Sequence, residues 1–238
     1  NINLELNLQR NSIDNPLYPR KGSQFMFSVA ATPPWSLWDG KDYKNMSDQD
    51  EAKFRMIEYH KWKFKAKIFS PLAPLTVKRT PVLMTRVEYG FLGSYNKYKK
   101  SPFETFYMGG DGMSGYSSTY ATETIGLRGY ENGSIAGNGG YNSYGYAYSR
   151  LSMELRYPFL LEPSSTIYGL VFVEAGNAWR DLKDFNPFQL KRSAGVGVRI
   201  FLPMIGLMGI DWAYGFDRPD GYDQRGGSNF HFIIGQEF

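Results

Sequence analysis

The chain has 238 residues, of which 17% are aromatic and 26 are Gly, with a formal net charge of +4. It has no Cys and only two His, His60 and His231, far apart in sequence, which excludes disulfides and thiolate chemistry and argues against a metal site or a His-based catalytic centre. The mild charge, with basic and acidic residues interleaved, names no partner, and no apolar run approaches the ~20 residues of a membrane-spanning helix.

Read from its start, "NINLELNLQR" has neither the charged nor the apolar region of a signal peptide. It opens inside a strand pattern, so the expectation is a piece excised from a longer protein. Ile2, Leu4, Leu6 and Leu8 alternate with Asn3, Glu5, Asn7 and Gln9. Period-two patterns recur through Phe25 to Ala31, Trp62 to Ile68, Leu83 to Phe91, Leu151 to Tyr157 and Val196 to Leu202, ending at Phe230, Phe232, Ile234 and Phe238. Alternation with β-branched and aromatic residues is the signature of strands, and no stretch shows a helical period. Nine strands are expected, at about 2–12, 23–33, 56–69, 80–95, 144–158, 166–178, 192–203, 207–216 and 229–238.

The connections differ by side. "DNPLYPRKG", "SPLAPLTVKRT", "PFLLEPSS" and "PMIG" are short and rich in Pro, whereas 34–55, 96–143, 179–191 and 217–228 are longer. Strands of about 10 residues, with short turns at one end and long loops at the other, describe an antiparallel transmembrane β-barrel of the bacterial outer membrane. Short turns toward the periplasm put Asn1 outside and Phe238 inside. Opposed ends and an odd strand number make these residues one domain, the C-terminal part of a larger barrel whose other strands close the sheet.

"KWKFKAKIFS", residues 61–70, fixes the phase. Trp62, Phe64, Ala66 and Ile68 face lipid and Lys61, Lys63, Lys65 and Lys67 face an aqueous lumen, because a lysine toward lipid costs about 2–4 kcal/mol at mid-membrane. A soluble β-sandwich or a single-stranded nucleic-acid groove with interleaved Lys and aromatics are the alternatives. The aromatics recur in every strand rather than forming one platform, which favours the barrel. Loop 34–55 carries the hint of a short helix and no assignable role.

The longest loop holds "FYMGGDGMSGY" (106–116) and "IGLRGYENG" (125–133). Gly126, Leu127, Arg128, Gly129 and Tyr130 suggest a tight turn presenting one guanidinium. Inside a barrel that charge needs carboxylates, and Glu154 and Glu174 on the next two strands have the lumen phase. Arg suits this task because its planar fork binds carboxylates two at a time. An exposed loop Arg is the common alternative.

"LRGY" in a long loop, "FVEAGNAW", "SAGVGVRIFLPMIGLMGIDWAYGF" and the terminal "FHFIIGQEF" follow in an order that resembles the C-terminal half of the BamA-type outer-membrane insertase family, as does the "DNPLYPRKGS" turn. The resemblance covers nearly all of the chain. It implies an all-β fold: the last nine or so strands of a 16-stranded barrel that follows POTRA domains, absent from these residues, in the outer membrane of a Gram-negative bacterium. It also implies no enzyme and no cofactor. The function implied is folding and insertion of β-barrel proteins by the central subunit of an assembly machine. Its partners would be unfolded outer-membrane barrel clients, accessory periplasmic or lipoprotein subunits and outer-membrane lipid, with no nucleic acid. Carried over by motif, Arg128 is the tip of a loop folded into the lumen, and Glu154 and Glu174 are its wall partners. The final strand, with Phe230, Phe232, Ile234, Gly235 and Phe238, is one side of a lateral gate whose unpaired backbone can template a client strand. A two-partner-type secretion pore, moving one soluble protein through the same barrel, is the alternative function.

Overall fold

A computed structural model describes residues 2–47, 50–112, 123–135, 144–162, 165–204 and 206–235. Phe238, the Gly/Asn/Tyr-rich run 136–143 and part of the long loop lie outside the described residues.

Nine antiparallel strands form one open sheet in strict chain order. They are β1 (Leu4–Asn11), β2 (Gly22–Ala31), β3 (His60–Pro71), β4 (Val82–Gly93), β7 (Ala147–Glu162), β8 (Ser165–Trp179), β9 (Lys191–Leu202), β10 (Gly206–Gly215) and β11 (Gly227–Ile234). Each overlaps one of the nine expected from the alternation, with bounds that differ by up to four residues. The long loop between β4 and β7 is not strandless: β5 (Phe106–Met108) pairs in parallel with β6 (Glu123–Ile125). Helices α1 (Trp35–Trp38) and α2 (Glu51–Phe54) occupy the loop where a short helix was suspected. Among the described residues no helix is long and apolar enough to cross a membrane.

The sheet has an apolar outer face and a charged inner one, as a barrel wall in lipid requires. Outward-pointing Trp62, Val171 and Phe232 are 43%, 56% and 58% exposed, whereas inward Arg86, Glu88, Arg150, Glu154 and Glu174 are buried. Such a segregation is stable only if lipid covers one face, because water against so many aromatic and branched side chains would be unfavourable. On β3 the expected phase holds, except that Ala66 is too short to reach past its neighbours and is buried. Trp179, at the end of β8, is also buried, with its ring centroid 4.7 Å from that of Phe185.

Two clusters fill the inner side. Near the short turns, Tyr18, Phe69, Val82, Met84, Tyr168, Leu170 and Phe172 pack together. Tyr18 comes from the "DNPLYPRKG" turn, and its hydroxyl lies 3.1 Å and 3.2 Å from the carbonyls of Thr80 and Arg156, so this turn folds back under the sheet. The second cluster is made by the long loop itself: Phe106, Met108, Ile125, Leu127, Tyr130 and Ile135 pack on Tyr59, Leu92 and Tyr148 of the wall. This contact carries the loop inside the sheet and delivers the "LRGY" segment to the charged strands.

Candidate functional site

Arg128 is 2% exposed and sits among three carboxylates from three strands. Its Nη2 donates to Glu154 Oε1 on β7 at 2.6 Å and to Glu174 Oε1 on β8 at 2.7 Å. Its Nη1 donates to Asp211 Oδ2 on β10 at 3.0 Å, and its backbone N–H donates to Glu174 Oε2 at 2.9 Å. The guanidinium plane also covers the Phe172 ring, 3.5 Å from its centroid. One side chain therefore ties the loop to three strands, and the planar fork makes this feasible where a single ammonium could not.

Each acid is shared with a second arginine. Arg156 donates to Glu154 at 2.8 Å and 2.6 Å, Arg150 to Glu174 at 2.9 Å, and Arg199 to Asp211 at 2.6 Å and 2.8 Å. The three carboxylates have no exposed side-chain surface, so each needs such compensation to stay ionised away from water. The wall arginines hold the acids in place, and Arg128 completes the set when the loop is docked.

The turn around Arg128 is shaped to fit. Gly129 has φ 86, and a Cβ there would stand 2.8 Å from the Gly215 nitrogen and 2.9 Å from Ser193 Cβ. Its N–H donates to His231 Nε2 on β11 at 2.9 Å, which identifies the imidazole nitrogen facing the loop as an acceptor. The Tyr130 hydroxyl donates to the Arg192 carbonyl at 2.7 Å and accepts from the Asp217 N–H at 3.3 Å. Burial pushes the Tyr130 pKa up to about 12, so it remains a neutral donor at any physiological pH. Gly126 lies beside the Asp111–Gly112 backbone, and Leu127 is buried in the loop's apolar cluster. Gly129→Ala should weaken loop docking by about 1–3 kcal/mol through backbone strain and the clash with β10. Faster proteolysis within the loop, with the sheet intact, is the expected readout.

The structure thus brings Arg128 together with Glu154 and Glu174, the two acids expected to face it. Asp211, His231 and the wall arginines belong to the same constellation and were not singled out from sequence. All of them occupy inward positions of their strands, as in "GIDWAY" and "FHFII", so phase could have placed them on the lumen face, though not at the depth of Glu174. Of the final-strand residues, Phe230, Phe232 and Ile234 point outward on β11 and are exposed. Gly235 falls beyond the end of β11 with φ 94, its N–H donating to the Leu207 carbonyl at 2.7 Å.

A lipid-facing open sheet with a loop arginine docked on its inner acids defines a section of an outer-membrane β-barrel with a lumen-folded loop. The chain belongs to the Omp85 superfamily, whose domain matches residues 1–238, and it is accordingly an outer-membrane β-barrel protein of Gram-negative bacteria. Among solved structures it is similar to BamA from Haemophilus ducreyi lacking POTRA domains 1–3, with a TM-score of 0.64 at 20% identity. That match covers 97% of this chain and 41% of the other, so the chain spans about two fifths of the structure it resembles. No curated protein sequence matches it.

Proposed function

We propose that the full-length protein folds and inserts β-barrel proteins into the outer membrane, as the central barrel of an assembly machine and without covalent chemistry or a cofactor. The observation that carries this reading is the docked Arg128, which braces β7, β8 and β10 from inside. Among the described residues β11 spans 8 residues, against 16 in β7 and 15 in β8, and pairs with β10. A short final strand, tethered to the loop through His231, forms a seam that can part while the rest of the wall stays rigid. An incoming client strand then pairs with its backbone by β-augmentation. The partners in this reading are unfolded outer-membrane barrel clients, accessory periplasmic or lipoprotein subunits, and outer-membrane lipid.

Secretion of a soluble protein through the lumen is the competing reading. The apolar cluster of Phe106, Met108, Leu127 and Tyr130 fills the inner side here, which disfavours an open passage. Reconstitution of the full-length protein in liposomes separates the two. Insertion predicts that an unfolded barrel client becomes protease-resistant at least about tenfold faster than in empty liposomes, equivalent to some 1.4 kcal/mol off the barrier. No acceleration across several clients, with accessory subunits added, would favour secretion.

A further inference from the structure

The lysine row of β3 has a partner that the Arg128 constellation does not use. Glu123, the first residue of β6, places Oε2 at 3.2 Å from Lys61 Nζ and 3.2 Å from Lys63 Nζ, and Oε1 at 3.6 Å from Lys65 Nζ. Same-face residues on a strand are about 7 Å apart, so three flexible stems converge on one carboxylate. Lys61 also meets Glu104 at 3.2 Å and lies over the Phe106 ring, 4.9 Å from its centroid. Glu104 has φ 66, an uncommon conformation for a residue with a Cβ, held where it puts a second acid on Lys61.

Both acids belong to one small rigid unit. Phe106 pairs with Glu123 in the β5–β6 sheet, and the Glu123 N–H donates to the Thr105 carbonyl at 3.0 Å. Burial alone would raise the Glu123 pKa, but Lys61, Lys63 and Lys65 outweigh it and hold the carboxyl below the usual range. Beside its apolar packing, the loop is therefore held by buried or half-buried ion pairs at two places on the sheet. Its base meets β3, and its tip, beginning at Arg128, meets β7, β8 and β10.

We propose that Glu123 is a positioning residue which, with Lys61, Lys63 and Lys65, forms a second anchor holding the base of the lumen loop on β3 independently of Arg128. The carboxylate is shared, so the anchor is degenerate: losing one lysine leaves two, whereas losing the acid or all three lysines removes it. This anchor keeps the loop inside the barrel when the tip lets go, so that release of Arg128 is a hinged movement rather than expulsion. The inference rests on the reading of the loop as a working brace, but its test follows position rather than insertion.

The 238 residues contain no Cys, so introduced pairs can carry nitroxide labels in the full-length protein in nanodiscs, with any Cys outside these residues replaced. Thr124→Cys with Phe64→Cys reports the base, and Glu131→Cys with Ile210→Cys reports the tip. Glu123→Gln, and separately the combined Lys61→Gln, Lys63→Gln and Lys65→Gln, should raise the undocked fraction of the base roughly tenfold, as expected for several partly screened pairs lost together. The tip distance should not change. Lys63→Gln alone should leave both distances as they were. Arg128→Ala should release the tip and spare the base. The proposal is overturned if the base distance stays narrow in both anchor-removing variants, or if Arg128→Ala loosens base and tip together. These distances remain readable whether or not the protein accelerates insertion, so failure of the insertase reading would show separately.

Discussion

Arg128→Ala is expected to destabilise the docked loop by about 3–5 kcal/mol, the usual consequence of removing one member of a buried ionic set. The loss exceeds that of an ordinary surface pair because Glu154, Glu174 and Asp211 would keep only their wall arginines in a site without water access. Arg128→Lys should recover only part of it, since one ammonium cannot present two parallel donors while reaching acids on β7, β8 and β10. Hydrogen exchange of residues 123–135 in the full-length protein measures the effect. Protection of this segment should fall by about two to nearly four orders of magnitude, near 1.4 kcal/mol per decade, with β8 and β9 barely affected. Unchanged protection would mean that the apolar packing of Leu127 and Tyr130 holds the loop unaided.

Glu174→Ala should be comparably damaging, at about 3–5 kcal/mol, because Glu174 alone accepts from the Arg128 side chain, the Arg128 backbone and Arg150. Removing it takes the carboxylate from Arg150 and leaves Arg128 with Glu154 and Asp211, with the two guanidinium groups no longer screened from one another. Glu174→Gln keeps the shape and one acceptor oxygen and should cost distinctly less. The double variant Arg128→Ala with Glu174→Ala should be less harmful than the sum of the two, by about 0.5–3 kcal/mol, since each single change already breaks the shared contacts. Equilibrium unfolding of the four proteins in one detergent gives this coupling, and strict additivity would show that the two residues act separately.

Much of the fold could be read from the chain because a barrel wall in lipid has a simple code. Lipid admits few charges, so "KWKFKAKIFS" could take only one phase, and the same rule placed Glu154 and Glu174 inward. Pro-rich short connections marked one end of the strands. What alternation could not supply was depth. Two inward residues on different strands share a face, but their meeting depends on stagger between neighbours, and that is why Asp211 and His231 went unnoticed beside Glu174. The β5–β6 pair was hidden for another reason. Strands of three residues, FYM and ETI, are too short to show a period, and their pairing depends on the rest of the loop packing against the wall. Glu123 was invisible for the same cause: in sequence it is one acid in a polar stretch, and only the parallel pairing with Phe106 carries it to the lysines.

The central claim is that docking of the Arg128 loop on the wall acids is needed for the protein to insert barrels. The most direct measurement is the rate at which an unfolded barrel client becomes protease-resistant in liposomes carrying equal amounts of folded full-length protein, native or Arg128→Ala. A fall of about tenfold or more with Arg128→Ala, matching the loss of the docked state, is the expected result. Equal rates, with the loop shown to be undocked by hydrogen exchange, would contradict the claim.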